Sequence, residues 1–391
     1  VLVASAGVGK TGILCKLVRE RPDVVVAYHF CRHDDTSRSN PRRMLCSIAF
    51  QLAKSFPKYS EALVALNLAH KKLDEENITA LFTMLFVEPL HTLENPSNKK
   101  RVILIDALDE CDHEGGKNDI LQCIARYFDK LPKWLGVYVT TRPETPITSK
   151  LKKFHPTELH PEEQRNIEDI RIFFQHILRK VCDTEIKDGA YEAAVEVLVR
   201  KSKGLFIYAA IAAEKLKDEF SSSNIPSIAD LEQYPDGLDE FYEIQLERIV
   251  EDTECLEWQA IQFITAAREP LHVATIQTLL KCSDKERNLL TAKLSRFYPI
   301  RNKKIYAYHK SLKDWLTKED REDEDIFVNI LKVEKEFATQ CIDVWESCKN
   351  ETNEQGFIFT SPEERKNRTL QYALTHGVAH LVECNRKDDA K

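Results

Sequence analysis

The stretch VLVASAGVGKTGIL, from Val1 to Leu14, decides how the rest of the chain is read. Two apolar residues, Val1 and Leu2, lead into a segment holding Gly7, Gly9, Lys10 and Thr11, and an apolar run resumes at Ile13 and Leu14. Val1 to Val3 reads as a strand end, Ala4 to Gly9 as a loop and Lys10 to Glu20 as a helix. Such a unit is a phosphate-binding loop. Its glycines let backbone N–H groups turn inward around phosphate oxygens, at a helix N-terminus whose dipole favours anions. Lys10 is expected to reach the β- and γ-phosphates and the Thr11 hydroxyl to ligate Mg2+. The pattern G-x-x-x-x-G-K-S/T usually opens with glycine, and Ala4 stands there instead, which serves if that residue is not left-handed. The expected nucleotide-binding set is Ala4, Gly7, Val8, Gly9, Lys10, Thr11 and Gly12. A Gly-rich turn with a surface lysine is the plainer alternative.

Two further segments end apolar strands at what should be the same sheet edge. RVILIDALDEC (101–111) runs into Asp106, with Asp109 and Glu110 just beyond. Ligands of open α/β sheets bind at the carboxyl ends of the strands. Asp106 is therefore expected to hold Mg2+ through water, and Asp109 or Glu110 to orient or deprotonate an attacking water. GVYVTTRPE (136–144) ends in Thr140 and Thr141, followed by Arg142, whose guanidinium is suited to sensing a γ-phosphate. A capping arginine in a Pro-containing turn is the other reading.

At 391 residues the chain is too long for one core, and two or three domains are expected. The fold class read from the pattern is α/β: a P-loop NTPase parallel sheet, then an all-helical domain, a winged-helix domain and a helical tail. VVVAYHF (24–30), RVILI (101–105) and GVYVT (136–140) suit strands buried on both faces, and 42–55 and 119–130 suit amphipathic helices. The domain bounds are 1–160, 161–225, 226–318 and 319–391, with the Ser-rich SSSNIPS (221–227) as the linker and the acidic EDREDED (319–325) as a further boundary. FYPIRNKKIYAYH suggests a β-hairpin followed by a helix.

Composition narrows the partners. A formal charge of −7 argues against a dedicated nucleic-acid binder, and no apolar run is long enough to span a bilayer. The eleven cysteines lack zinc-site spacing and read as reduced core residues of a cytoplasmic protein. His29, Cys31, His33 and Asp34 do not form a metal set, because alternation along a strand sends neighbours to opposite faces. No N-K-x-D base-reading motif follows a strand, which favours adenine over guanine. The chain opens inside a strand and without Met, and is expected to be a fragment of a longer protein.

With these elements in this order, the sequence resembles the NACHT class of signal-transducing P-loop ATPases, the STAND group. AYHFCRHDDTSRSNPRRMLCSIAFQLA looks like that family's second strand and helix, and DALDE like its acidic motif with a small residue after the first Asp. KSKGLFIYAAIA stands where the family's helical domain often carries G-L-P; Gly204 and Leu205 match, and Phe206 replaces Pro. AAREPLHVATIQTLL and YAYHKSLKDWL look like its winged-helix domain, and the tail RTLQYALTHGVAHLVEC like the segment preceding its repeats. The resemblance implies an ATP/ADP switch with slow or no hydrolysis and with Mg2+. It also implies that His309 touches the β-phosphate of ADP and locks a closed form. Protein partners would act through an N-terminal effector and C-terminal repeats, with homo-oligomerisation on activation. A turnover ATPase of the AAA+ remodelling kind and a scaffold with a vestigial site are the rival expectations.

Overall fold

The computed structural model describes residues 1–66, 77–91, 93, 99–111, 118–181, 188–219, 227–295, 297–322, 324–347, 352–353, 356–357 and 367–385. Nearly all of the expected linker 221–227 lies outside the described residues; only Ser227, an N-cap, falls within them. Cα packing separates two compact units, Val1–Leu238 and Asp239–Lys391.

The first unit is built on a five-stranded sheet: β1 (Leu2–Ala4), β2 (Val25–Phe30), β3 (Arg101–Asp106), β4 (Leu135–Thr141) and β5 (Thr157–Leu159). Every pairing is parallel, and the order is β2-β3-β4-β1-β5. Parallel neighbours need crossovers, which the intervening helices provide. The loop-bearing β1 and the acidic β3 are thus separated by β4, and their carboxyl ends share one edge.

Strand alternation divides the apolar residues between two faces. Ile103 and Ile105 of β3, Val139 of β4 and Ala27 of β2 join one continuous core with Met44, Leu45, Ile48 and Leu52 of the helix Pro41–Ser55 and Ile120, Leu121 and Ile124 of the helix Asp119–Tyr127. Leu14 of α1 (Lys10–Glu20) is fully buried in the same unit. Each of these side chains larger than alanine contributes about 1.5–3 kcal/mol on leaving water. One strand departs from expectation. β2 is the sheet edge, so Tyr28 stays 42% exposed rather than buried. Its unpaired backbone is occupied by the Gln51 amide, which accepts from Tyr28 N–H at 3.0 Å and donates to Tyr28 C=O at 2.9 Å. That contact blunts the edge against a foreign strand.

The remainder of the first unit is helical: Gln164–Val181, Asp188–Ser202, Phe206–Glu219 and the short Ile228–Glu232. Residues beyond 226 pack back onto this bundle: Arg200 pairs with Glu232 at 2.6 Å, and Tyr208 Oη donates to Pro235 C=O at 2.7 Å.

The second unit holds the helices Leu238–Glu247 (from its second residue), Leu256–Ala266, Val273–Leu279 and Asp284–Leu294, then a hairpin and the helix Lys310–Leu316. The hairpin pairs Ile300 with Ile305 and Arg301 with Lys304, with Asn302 and Lys303 both left-handed. Two such residues are what a tight type I′ connection demands. Helices Ile330–Ser347 and Arg368–Glu383 close the described chain, packed through Ala338 and Leu381. No described helix is long and apolar enough to cross a membrane.

Candidate functional site

β1 delivers the chain to the sheet edge, and the loop turns there on two left-handed glycines, Gly7 at φ 79° and Gly9 at φ 103°. Ala4 is the last residue of β1 and not left-handed, so alanine is accommodated where the usual pattern has glycine. Gly9 is the N-cap of α1, whose first residues are Lys10 and Thr11, with Gly12 following. The Lys10 ammonium is buried and donates to the carbonyl oxygens of Ala4 at 2.7 Å and Ser5 at 2.9 Å, spanning the loop. Burial lowers its pKa; Asp109, Asp106 and Glu110 pull the other way, while Arg142 adds to the lowering.

Asp106 ends β3 and is 2% exposed. The register that pairs Ile105 with Val139 places it beside Thr140, whose hydroxyl donates to Asp106 Oδ1 at 2.5 Å. Thr140 Oγ1 accepts in turn from Ala107 N–H at 2.9 Å. The Thr11 side chain lies near enough to the Asp106 carboxylate to favour its charged form. Burial raises the Asp106 pKa, against the lowering from Thr140, Thr11 and Lys10. A carboxylate held in that tension gains from a cation. Ala107 adopts φ 52°, a left-handed turn that swings the chain off the strand end and gives a physical reason for a small residue there.

Lys10, Thr11 and Asp106 are therefore brought together at one edge. Asp109 and Arg142 meet beside them: Arg142 N–H donates to Asp109 Oδ1 at 3.0 Å, and its Nε lies 3.1 Å from Oδ2. Glu110 is engaged by His33, whose backbone N–H and ring Nδ1 lie 3.3 and 3.2 Å from Glu110 Oε2. His309 belongs to the second unit, where its ring caps the helix Lys310–Leu316: Nδ1 accepts from Ser311 N–H at 3.1 Å and lies 2.6 Å from Ser311 Oγ.

Sequence reasoning missed Thr140 and His33 as site residues. A Thr-Thr strand end beside a strand ending in Asp was a usable signal for the first. Nothing local marks His33, because its partner is 77 residues away.

The donor set fits a magnesium nucleotide. Left-handed glycines, a buried ammonium at a helix N-terminus, and a Thr and an Asp at the same sheet edge are the groups such a ligand requires. The Ser5 hydroxyl within the loop and the Thr141 hydroxyl at the end of β4 are buried with no hydrogen-bond partner, which leaves polar capacity at this edge. Among the described residues no group of three or more His, Cys, Asp and Glu is placed to hold a metal ion by itself.

Sheet order, loop and acidic strand end have the arrangement of a P-loop NTPase fold. Residues 1–142 match the family model described as nephrocystin 3, N-terminal. Among curated proteins, the vegetative incompatibility protein HET-E-1 of Podospora anserina is 25% identical over 333 residues, covering 79% of this chain. The chain spans about a quarter, 24%, of that relative's length. Among solved structures, a signal-transduction ATPase with numerous domains (STAND) carrying a tetratricopeptide repeat sensor, from Pyrococcus horikoshii, aligns with TM-score 0.46 and 14% identity, over 97% of this chain and 46% of that one. A Walker-type ATPase of Pyrococcus abyssi aligns with TM-score 0.37 and 13% identity, over 80% of this chain and 89% of that one.

Proposed function

We propose that this chain is the nucleotide-operated core of a signalling switch that binds ATP or ADP with Mg2+ and hydrolyses ATP slowly or not at all. Ala4, Gly7, Val8, Gly9, Lys10, Thr11 and Gly12 would hold the phosphates, and Thr11 and Asp106 the magnesium, which when bound neutralises phosphate charge. The observation that supports a switch over a motor is the engagement of both candidate water-activating carboxylates. Asp109 is tied to Arg142 and Glu110 to His33, so each must exchange a partner before it can take a proton. Arg142 would then respond to a γ-phosphate through Asp109.

In this reading residues 1–160 are the NTPase domain, the helical domain starts at 161, a winged-helix domain ends near 318, and 319–391 lead towards repeats. His309 would contact the β-phosphate in a closed, ADP-loaded state. ADP and ATP must differ in affinity for the two states, since equal binding shifts nothing. Partner proteins, homo-oligomerisation on activation and a cytoplasmic location belong to the same proposal.

Titration calorimetry with ADP and Mg·ATP on the wild type and Lys10→Ala tests it. Loss of a charge-assisted contact should weaken binding about 10- to 100-fold. Equal affinity in the two proteins would remove the proposal, and rapid multiple turnover abolished by Glu110→Gln would replace it with a turnover ATPase.

A further inference from the structure

The helix Phe206–Glu219 starts directly on the phosphate-binding loop. Ile207 N–H donates to the Gly7 carbonyl oxygen at 3.0 Å. A β-carbon added to Gly7 would lie 2.4 Å from Ile207 Cγ2, so the isoleucine methyl fills space that only glycine leaves. The Phe206 ring stands in the same relation to Gly9, 3.3 Å from where its β-carbon would be. Phe206, which replaces the Pro of the family pattern, thus packs on the loop itself.

This helix start is held in place from below. Asn166, 4% exposed, donates through Nδ2 to the carbonyl oxygens of Pro161 at 2.7 Å and Gly204 at 2.8 Å. Gly204 is left-handed at φ 74°, and a β-carbon on it would strike Pro161 O at 2.1 Å, so the two backbones touch. Asn166 satisfies two buried carbonyls that this close approach would otherwise strand.

A peptide unit is planar, so the Gly7 C=O and the Val8 N–H point in opposite directions. Fixing the carbonyl on Ile207 therefore fixes the direction of the Val8 donor. A loop that grips phosphate through N–H groups releases it only when such planes turn. We infer that Ile207 governs the rate at which the loop releases its nucleotide by locking the Gly7–Val8 peptide plane, with Asn166 as the positioning residue that keeps the helix start seated. The inference rests on the nucleotide reading above. It makes the helical region a brake on exchange, acting on the loop backbone and not on the base or sugar.

Stopped-flow displacement of N-methylanthraniloyl-ADP by excess ADP, on the wild type, Ile207→Ala and Asn166→Ala, decides it. Ile207→Ala keeps the main-chain N–H but removes the side chain that seats it against Gly7, and Asn166→Ala removes the anchor behind it; the dissociation rate should rise about fivefold in each variant, the size expected from weakening one neutral hydrogen bond. Association should be little changed, and the double variant should be no faster than the faster single one, since both act on one contact. A merely structural role would lower the melting temperature without changing the dissociation rate. Unchanged dissociation from Ile207→Ala that still binds overturns the brake alone. Absence of binding by the wild type overturns the nucleotide reading and the brake with it. Should Asn166→Ala fail to fold by circular dichroism, Ile207→Ala carries the decision.

Discussion

Arg142 reaches Asp109 twice, through its backbone N–H to Oδ1 and through Nε to Oδ2, and the carboxylate is 1% exposed. The end of β4 is thereby fastened to the turn after β3, across the edge where the loop of β1 also ends. Removing the guanidinium leaves a buried carboxylate without its main cation, which costs about 3 kcal/mol in comparable pairs. Arg142→Met should lower the urea midpoint accordingly, and adding Asp109→Asn should restore most of it. A loss under 0.5 kcal/mol, within the range of ordinary surface substitutions, would show that the pair does not fasten the edge.

His33 holds Glu110 from the loop after β2. If that grip restrains hydrolysis, His33→Ala, which keeps the backbone N–H contact, should raise the single-turnover rate by roughly tenfold, below the roughly 100- to 10,000-fold of a fully freed general base. Glu110→Gln should then cancel the gain. A rate unchanged or lowered in His33→Ala would mean that the histidine supports Glu110 and does not restrain it.

Gly204 cannot carry a side chain. Its left-handed φ and the 2.1 Å approach to Pro161 O oppose any β-carbon, and the obstacle is backbone, which cannot rotate away. Gly204→Ala should destabilise the first unit by more than about 2 kcal/mol, combining left-handed strain with overpacking. A melting temperature equal to wild type would contradict the packing of helix Gln164–Val181 against the 202–206 turn.

Acid should weaken the second unit through Glu269. The His376 ring, 3.6 Å away, holds its pKa down most; burial opposes this, and Lys304, donating at 2.9 Å, adds to the lowering, to about 2. A carboxyl depressed from the ordinary 4.5 stabilises the fold above that value, and the contribution fades as pH falls towards about 2. Urea midpoints for the wild type and Glu269→Gln should therefore differ at pH 6 and converge near pH 2 to 3. A gap that persists at the acid end would assign the effect to packing instead of charge.

The sequence by itself determined the local pieces. Val1–Leu14 carries its own strand, turn and helix signals, and α1 begins at Lys10 as read, because glycines, apolar runs and helix formers act over a few residues. The strands around 25–30, 101–106 and 135–141 followed from short apolar runs in the same way. β5 was not legible: TEL is three residues between prolines with a charge inside, and it is a strand only because β1 offers it a partner. The insertion of β4 between β1 and β3, the exposed edge at Tyr28, and the grips of Arg142 on Asp109, His33 on Glu110 and Ile207 on Gly7 were decided by tertiary structure. Each joins residues tens to hundreds of positions apart. Their geometry is set by sheet register and helix docking, which no local pattern encodes.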